Sequence, residues 1–369
     1  MKNFRLNRIL LTVLALLLVW SFMVLGSLGI GDGGAVTDTG TAIPVISGIH
    51  IVDTYEAEYS YSDMEEDIFL LAGKYPELFR FATAGRSCDG REIYYCIFGQ
   101  EGAEKQIIVT AGIHGREYIN PMLVMNQLEY YLENYYTGEY KGRNYSDIFA
   151  SYNIIVIPMM NPDGIMLSQE GIESIRSEEL REQIRSVYDS DCEKYSGYRN
   201  YGSLDNYLKY WKANARGVDL NRNYGIDYWQ AMNTKINQPS SQRYKGASPA
   251  SEPETQAVVA LTESLSNPVC TISMHSQGQV IYWDCGQTGE LRESTLSLAK
   301  TAHRLNRYML QSEFTNPDAT FDDWCVLNRG IPAINIETGT GTCPLPISQY
   351  EQIWNENYLV WADAAILFS

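Results

Sequence analysis

Four short apolar runs punctuate the chain, and each ends in a polar cluster. "KQIIVTAG" runs into Ile113-His114-Gly115-Arg116-Glu117, and "YNIIVIPMM" into Asn161-Pro162-Asp163-Gly164. "PVCTISM" ends in His275-Ser276-Gln277-Gly278, and "IPAINI" in Glu337-Thr338-Gly339. Continuous β-branched runs of this kind are what buried, mostly parallel strands look like. Helical periods lie around them. In "YSYSDMEEDIFLLAGKYPELF", Met64, Ile68 and Leu71 share one face, and Ser62 with Glu65 predicts a capping box. From about Tyr55, strand-like and helix-like segments alternate, which predicts an α/β layer fold. Residues 165–215 are more polar and read as a long insertion with helical pieces, such as "IESIRSEELREQIRSVY".

The N-terminal stretch is patterned differently. Lys2, Arg5 and Arg8 precede Ile9–Ile30, which is 22 residues without a charge. Such a run is long enough to cross a bilayer, and cations before it leave the rest of the chain outside the cytoplasm. Gly26-Ser27-Leu28-Gly29 offers small residues but no clear cleavage site, so residues 1–30 fit a signal peptide and a membrane anchor equally. Residues 31–54 are Gly- and Thr-rich and weakly patterned, as in a linker. His50 falls in that linker and is expected to have no functional role. Residues 55–369 are expected to form the working part, with no pro-domain before it.

Composition narrows the function classes. With 369 residues, 45% of them hydrophobic, the chain can bury a large core. A net charge of −17 argues against nucleic acid and against docking on anionic lipid through charge. The 27 Tyr suit half-buried packing, with a sugar- or wall-facing surface as the alternative. Seven Cys leave at least one unpaired in a monomer. Asp89-Gly90 reads as a two-residue hairpin turn, which sets Cys88 opposite Arg91 and Thr83 opposite Cys96. Those two Cys are then not partners. No Cys pattern suggests a structural zinc site.

His114 and Glu117 alone are weak evidence, because four His among 45 acidic residues produce such a pair readily by chance. Context strengthens it. In parallel sheets, ligands bind beyond the carboxyl ends of the strands. Two His and two Glu converge there. Two His and one Glu are the donors of a catalytic zinc, with a fourth position left for water. A second carboxylate must then take a proton, and Glu337 suits by type and placement. In "GVDLNRNYG", Arg222 can grip a carboxylate with two parallel hydrogen bonds, and Asn221 adds a donor. A cation fork beside zinc suits a substrate with a free carboxylate next to the bond being cut.

The set as a whole resembles the zinc carboxypeptidase family: His-x-x-Glu, Asn-Pro-Asp-Gly, Gly-Val-Asp-x-Asn-Arg-Asn, a later His-Ser and a C-terminal Glu-Thr-Gly, in order, over about Tyr55 to Ser369. That resemblance implies a three-layer α/β/α fold around a mixed, mostly parallel, twisted sheet. It implies one Zn2+ per chain held by His114, Glu117 and His275. Glu337 then corresponds to the general base and proton shuttle, and Asn221 and Arg222 to the carboxylate clamp. Asp219 corresponds to the carboxylate that orients the first His ligand. Arg116, inside the first motif, is a candidate substrate contact. Trp324 precedes Glu337 by 13 residues, which puts Asp322 at the position lining the side-chain pocket. An Asp there suits a cationic group.

Within the family the chain is most similar to bacterial γ-D-glutamyl-L-diamino acid peptidases, on "WKANARGVDLNRN" and "HSQGQVIYWDCG". A muropeptide substrate and an exported location follow from that likeness. The alternatives are a carboxypeptidase removing C-terminal Lys or Arg, and an inactive wall-binding protein. Three departures from the animal carboxypeptidase pattern stand out. Gln277 replaces a Tyr after the His-Ser, and no Tyr lies between Phe314 and Trp324. The oxyanion-stabilising Arg has no single match, since Arg216 and Lys212 both lie near. Arg216 is taken as the substrate-binding candidate.

Overall fold

The computed structural model describes residues 50–56, 58–195, 197–227, 229–232, 234–311 and 318–369. The N-terminal hydrophobic segment and the linker up to residue 49 lie outside the described residues.

The four apolar runs are neighbours in one eight-stranded sheet. Its strands are β1 (Phe79–Arg86), β2 (Glu92–Phe98), β3 (Lys105–Ala111), β4 (Tyr152–Ile157), β5 (Pro268–Ser276), β6 (Val280–Tyr282), β7 (Met309–Leu310) and β8 (Ala333–Thr338). Their spatial order is β1-β2-β4-β3-β5-β8-β6-β7. The central four, β4, β3, β5 and β8, are mutually parallel, so their carboxyl ends emerge along one edge. Antiparallel pairs join β1 to β2, β2 to β4, and β8 to β6. The sheet is therefore mixed and mostly parallel.

Side-chain alternation sends the two faces of these strands into two cores. The principal helices are α1 (Tyr61–Lys74), α2 (Ile119–Asn134), α3 (Pro162–Glu170), α4 (Glu178–Lys194), α5 (Pro253–Ser264), α6 (Gly289–Asn306), α7 (Phe321–Arg329), α8 (Tyr350–Asn357) and α9 (Val360–Leu367). Ile107, Val109, Ile272, Met274, Ile334 and Ile336 pack with α1, α2, α6, α8 and α9. Ile108, Ile155, Ile157 and Ala333 pack with α5 and α7. Helices on both faces make the three layers. The polar insertion has a small core of its own, where Leu180, Ile184 and Val187 of α4 meet Tyr207 and Trp211.

Local details differ from the sequence reading in three places. The α1 capping box is Ser60 with Asp63, two residues earlier than Ser62 with Glu65. Ser60 is the extended residue before the helix, whereas Ser62 already lies in its first turn. The β1–β2 hairpin does not close on a two-residue turn. Ser87 N–H donates to the Arg91 carbonyl at 2.9 Å, which leaves a three-residue loop, and a bulge follows between Thr83 and Gly85. Cys96 therefore faces Phe81 and Thr83 faces Tyr94, while Cys88 sits in the loop. The cause is tertiary: buried Asp163 accepts from Ser87 Oγ, Asp89 N–H and the Arg91 guanidinium, and so shapes the loop around itself. All seven Cys are free. Finally, the linker docks before residue 54. The Ile51 and Val52 amides donate to the Glu129 carboxylate at 2.6 and 2.9 Å, and Val52 is buried.

Glu254 on α5 is buried close to Asp163. Burial first, and the Asp163 charge second, push its carboxyl up to about 7. The folded value lies above the unfolded one of about 4.3. Its stabilising share is thus fully present below about pH 4 and lost as pH rises through 7. Urea unfolding of the wild type is expected to lose ~2–4 kcal/mol more stability between pH 5 and 8 than that of Glu254→Gln. Equal losses in the two proteins would contradict the assignment.

Candidate active site

The turn after β3 carries His114 and Glu117, and β5 carries His275 near its carboxyl end. Glu117 joins them. Its Oε1 lies 2.8 Å from His114 Nδ1, and its Oε2 lies 3.1 Å from His275 Nδ1. All three side chains are buried. One donor atom from each falls within 4.8 Å of the others, so two nitrogens and a carboxylate converge on one point. Burial alone would raise the Glu117 carboxyl, but the His114 and Lys212 charges and the imidazole contacts hold it well below the usual range. Burial alone would likewise lower His275, but its contact with Glu117 raises it. Asp219 Oδ1 approaches His114 Nε2 to 3.3 Å. The angle does not make a hydrogen bond, so that contact is electrostatic first.

Two other groups of possible metal donors exist among the described residues, His50/Glu129/Glu133 and Cys88/Asp163/Glu254. In the first, the Ile51 and Val52 amides occupy both Glu129 oxygens. In the second, Asp163 is saturated by Ser87, Asp89 and Arg91. The His114/Glu117/His275 set fits a catalytic zinc by donor type and convergence.

Glu337, on β8, is the register partner of His275 across the parallel β5–β8 pair. Burial first, and the nearby Glu117 charge, push its carboxyl up to about 7 against the opposing pull of His275. A cation beside it would lower that value. Glu337 opens onto a cavity of about 290 Å³ shared with His114, Lys212, Asn221, Arg222 and Asp322. Asn221 Oδ1 accepts from the Phe321 N–H at 3.1 Å, which commits the oxygen and leaves the amide donors. Arg222 is braced by the Asn221 carbonyl at 2.7 Å and pairs with exposed Asp318 at 3.1 Å. Asp322 Oδ1 accepts from Ser273 Oγ at 2.7 Å, while its Oδ2 is buried without a partner. Burial is also what pushes the Asp322 carboxyl up to about 7.

Arg216 is a correction. It is absent from the cavity lining and pairs with Glu252 at 3.6 Å, on the far side of a turn closed by Asn214 Oδ1. Lys212 is the cation that reaches the site, 3.7 Å from Glu117 Oε1. Arg116 lies beside the site but does not line the cavity.

Other residues carry the site without having been singled out. Asn161 does not merely make a turn. It caps α3, accepting from Gly164 N–H, and its side-chain amide donates to the carbonyls of Ile113 and Ala213. One amide thus ties the ligand loop to the Lys212 segment. Asn120, Ser276 and Thr338 form a buried network beneath the ligands, with contacts of 2.9–3.0 Å. Asn335, two residues before Glu337 and so on the same strand face, lines the cavity with its Oδ1 buried and unpartnered. The period-two rule could have found it.

Residues 64–360 match the zinc carboxypeptidase family model. The chain is 30% identical over 303 residues to gamma-D-glutamyl-L-diamino acid endopeptidase 1 of Lysinibacillus sphaericus, covering 82% of this chain and 70% of that protein. It is 28% identical to the uncharacterized protein YqgT of Bacillus subtilis (strain 168), covering 81% and 75%. Among solved structures, thrombin activatable fibrinolysis inhibitor superposes with a TM-score of 0.65 at 19% identity, over 86% of this chain and 79% of that one. Carboxypeptidase A from Helicoverpa armigera gives 0.60 at 16%, over 84% and 73%. These two likenesses are of fold.

The ligand loop depends on a close backbone approach. A Cβ on Gly115 would lie 2.2 Å from the Gly164 carbonyl oxygen and 2.9 Å from that of Trp211. Gly115→Ala is expected to cost ~1–3 kcal/mol in stability. Zinc affinity, followed by competition with a chromophoric chelator, should fall ~10–100-fold. Unchanged affinity would show that this contact does not position the ligands.

Proposed function

This chain belongs to the zinc carboxypeptidase family, and from that premise we propose that it hydrolyses the γ-D-Glu–diamino acid bond of cell-wall peptides. The observation that carries the substrate reading is the cavity beyond the clamp. Asp322 Oδ2 and Asn335 Oδ1 are both buried and unpartnered there, a pair of acceptors placed for an ammonium group. A diamino acid with a free carboxylate supplies both charges, one for Arg222 and Asn221 and one for Asp322. The relative from Lysinibacillus sphaericus carries that specificity in its name.

His114, Glu117 and His275 would hold the zinc, which when bound supplies a Lewis acid that polarises a carbonyl and makes water acidic. Asp219 fixes the His114 ring through its far edge. Arg222 and Asn221 take the substrate carboxylate, which displaces the exposed Asp318 from Arg222. That surface pair is weak, so the exchange costs little. Glu337 accepts the proton of the attacking water and passes it to the leaving amine. A carboxylate on the cavity wall can do both in turn. Lys212 faces the negative charge that develops on the carbonyl oxygen, the task left open between it and Arg216 in the sequence. The hydrophobic N-terminal segment supports action outside the cytoplasm, where the wall lies.

The same pocket gives a second reading, removal of C-terminal Lys or Arg from ordinary peptides, because Asp322 would take either cation. Comparing rates on defined muropeptides and on Lys-terminated peptides separates the two. Faster release of the diamino acid from the γ-linked substrate is expected; a clear preference for the Lys-terminated α-peptide would overturn the proposal. For the chemistry itself, Glu337→Gln should lower kcat by ~10²–10⁴-fold with zinc retained at one per chain. Near-normal turnover would sink Glu337 as the base.

A further inference from the structure

The polar insertion, residues 165–215, gives the scheme above one residue, Lys212. It also holds a carboxylate that the scheme does not use. Asp191, near the end of α4, is fully buried. Its Oδ2 accepts three hydrogen bonds: from Tyr207 Oη at 2.6 Å, from Ser240 Oγ at 2.7 Å and from the Ser241 N–H at 3.2 Å. Its Oδ1 is buried without a partner. Hydrogen bonds to a carboxylate are strong ones. This one oxygen therefore fixes α4, Tyr207 and the 240–241 backbone relative to one another.

Both partners lead to Lys212. The Ser241 carbonyl accepts from the N–H groups of Lys212 at 3.0 Å and Ala213 at 2.9 Å. The Tyr207 ring packs edge-on against Trp211, with centroids 5.8 Å apart, and the Trp211 indole N–H donates to the Asn214 carbonyl at 3.2 Å. From the other side, the Lys212 carbonyl accepts from the Gly115 N–H of the ligand turn at 3.1 Å. The Lys212 backbone is thus gripped between the ligand turn and the segment that Asp191 holds. A lysine ammonium rides on a flexible four-carbon stem, so the placing of its backbone decides where the charge can stand. Here Nζ stands 3.7 Å from Glu117 Oε1. Resting on the oxyanion role proposed above for Lys212, we infer that Asp191 is a positioning residue. Through Ser241 and Tyr207 it sets the Lys212 backbone so that the ammonium faces the charge developing on the carbonyl oxygen. The insertion then works as a brace for that cation.

The test uses the zinc-loaded full chain and whichever of the γ-linked and Lys-terminated peptides it cleaves faster, so that bond specificity does not enter the outcome. Asp191→Ala strands three donors and is expected to lower kcat ~10–100-fold, with KM within ~threefold of the wild type and zinc retained at one per chain. Asp191→Asn can turn its oxygen to the same donors and its nitrogen to the unpartnered side, so its kcat should stay within ~fivefold of the wild type. The decisive arm repeats Asp191→Ala in the Lys212→Gln background, where the further loss should be at most ~twofold. Tyr207→Phe, which deletes one donor, carries the same comparison with a smaller loss if Asp191→Ala does not fold. Equal losses in the two backgrounds would overturn the assignment, because a merely structural role slows both alike. A loss of zinc that accounts for the whole effect would overturn it as well. If Lys212→Gln lowers kcat and Asp191→Ala does not, Asp191 alone is overturned. If Lys212→Gln leaves kcat unchanged, the oxyanion role of Lys212 falls, and the positioning role of Asp191 with it.

Discussion

One buried carboxylate organises this site. Glu117 meets the Nδ1 atoms of His114 and His275, which come from segments 161 residues apart in sequence. Unpaired, a carboxylate this deep would be costly to ionise. Paired with two imidazoles and facing Lys212, it is held ionised and aims both rings at one point. The parallel arrangement of β3, β5 and β8 makes the meeting geometrically available, because all three end on the same edge. The Asn120–Ser276–Thr338 network beneath ties the start of α2, which follows the ligand turn, to the ends of β5 and β8.

The substrate face can be read as a charge pattern. Among the cavity-lining residues, Lys212 and Arg222 supply cations, whereas Asp322 and Asn335 each present a buried oxygen without a partner. A ligand that satisfies both sets carries an anionic group together with a donor or cation. That pattern is narrower than the chemistry of hydrolysis, and it explains why a single ligand motif says so little about substrate.

Much of this was legible in the sequence, for definite reasons. The four apolar runs are buried on both faces, so their pattern is strong, and the chemistry sits at their ends. The convergence of His114, Glu117 and His275 could be expected from that alone, with Glu337 at a neighbouring strand end, whereas Asp219 and Asp322 were singled out only through the resemblance to zinc carboxypeptidases. What was not legible depended on tertiary contacts. The hairpin register was set by Asp163, which reaches the loop from 72 residues beyond Arg91. The choice between Lys212 and Arg216 turned on a tight turn closed by the Asn214 side chain, which no periodicity announces. Asn161 was only one member of a polar cluster in the sequence, whereas in the fold it caps α3 and ties that helix to two further segments.

The most direct measurement is zinc K-edge absorption spectroscopy on the loaded protein. The account predicts two imidazole rings with nitrogens at ~2.0–2.1 Å, oxygens completing the shell, and no sulfur. The seven free Cys make the opposite result meaningful, above all Cys88 beside Asp163 and Glu254. A sulfur scatterer at ~2.3 Å would place the metal elsewhere and contradict the central claim.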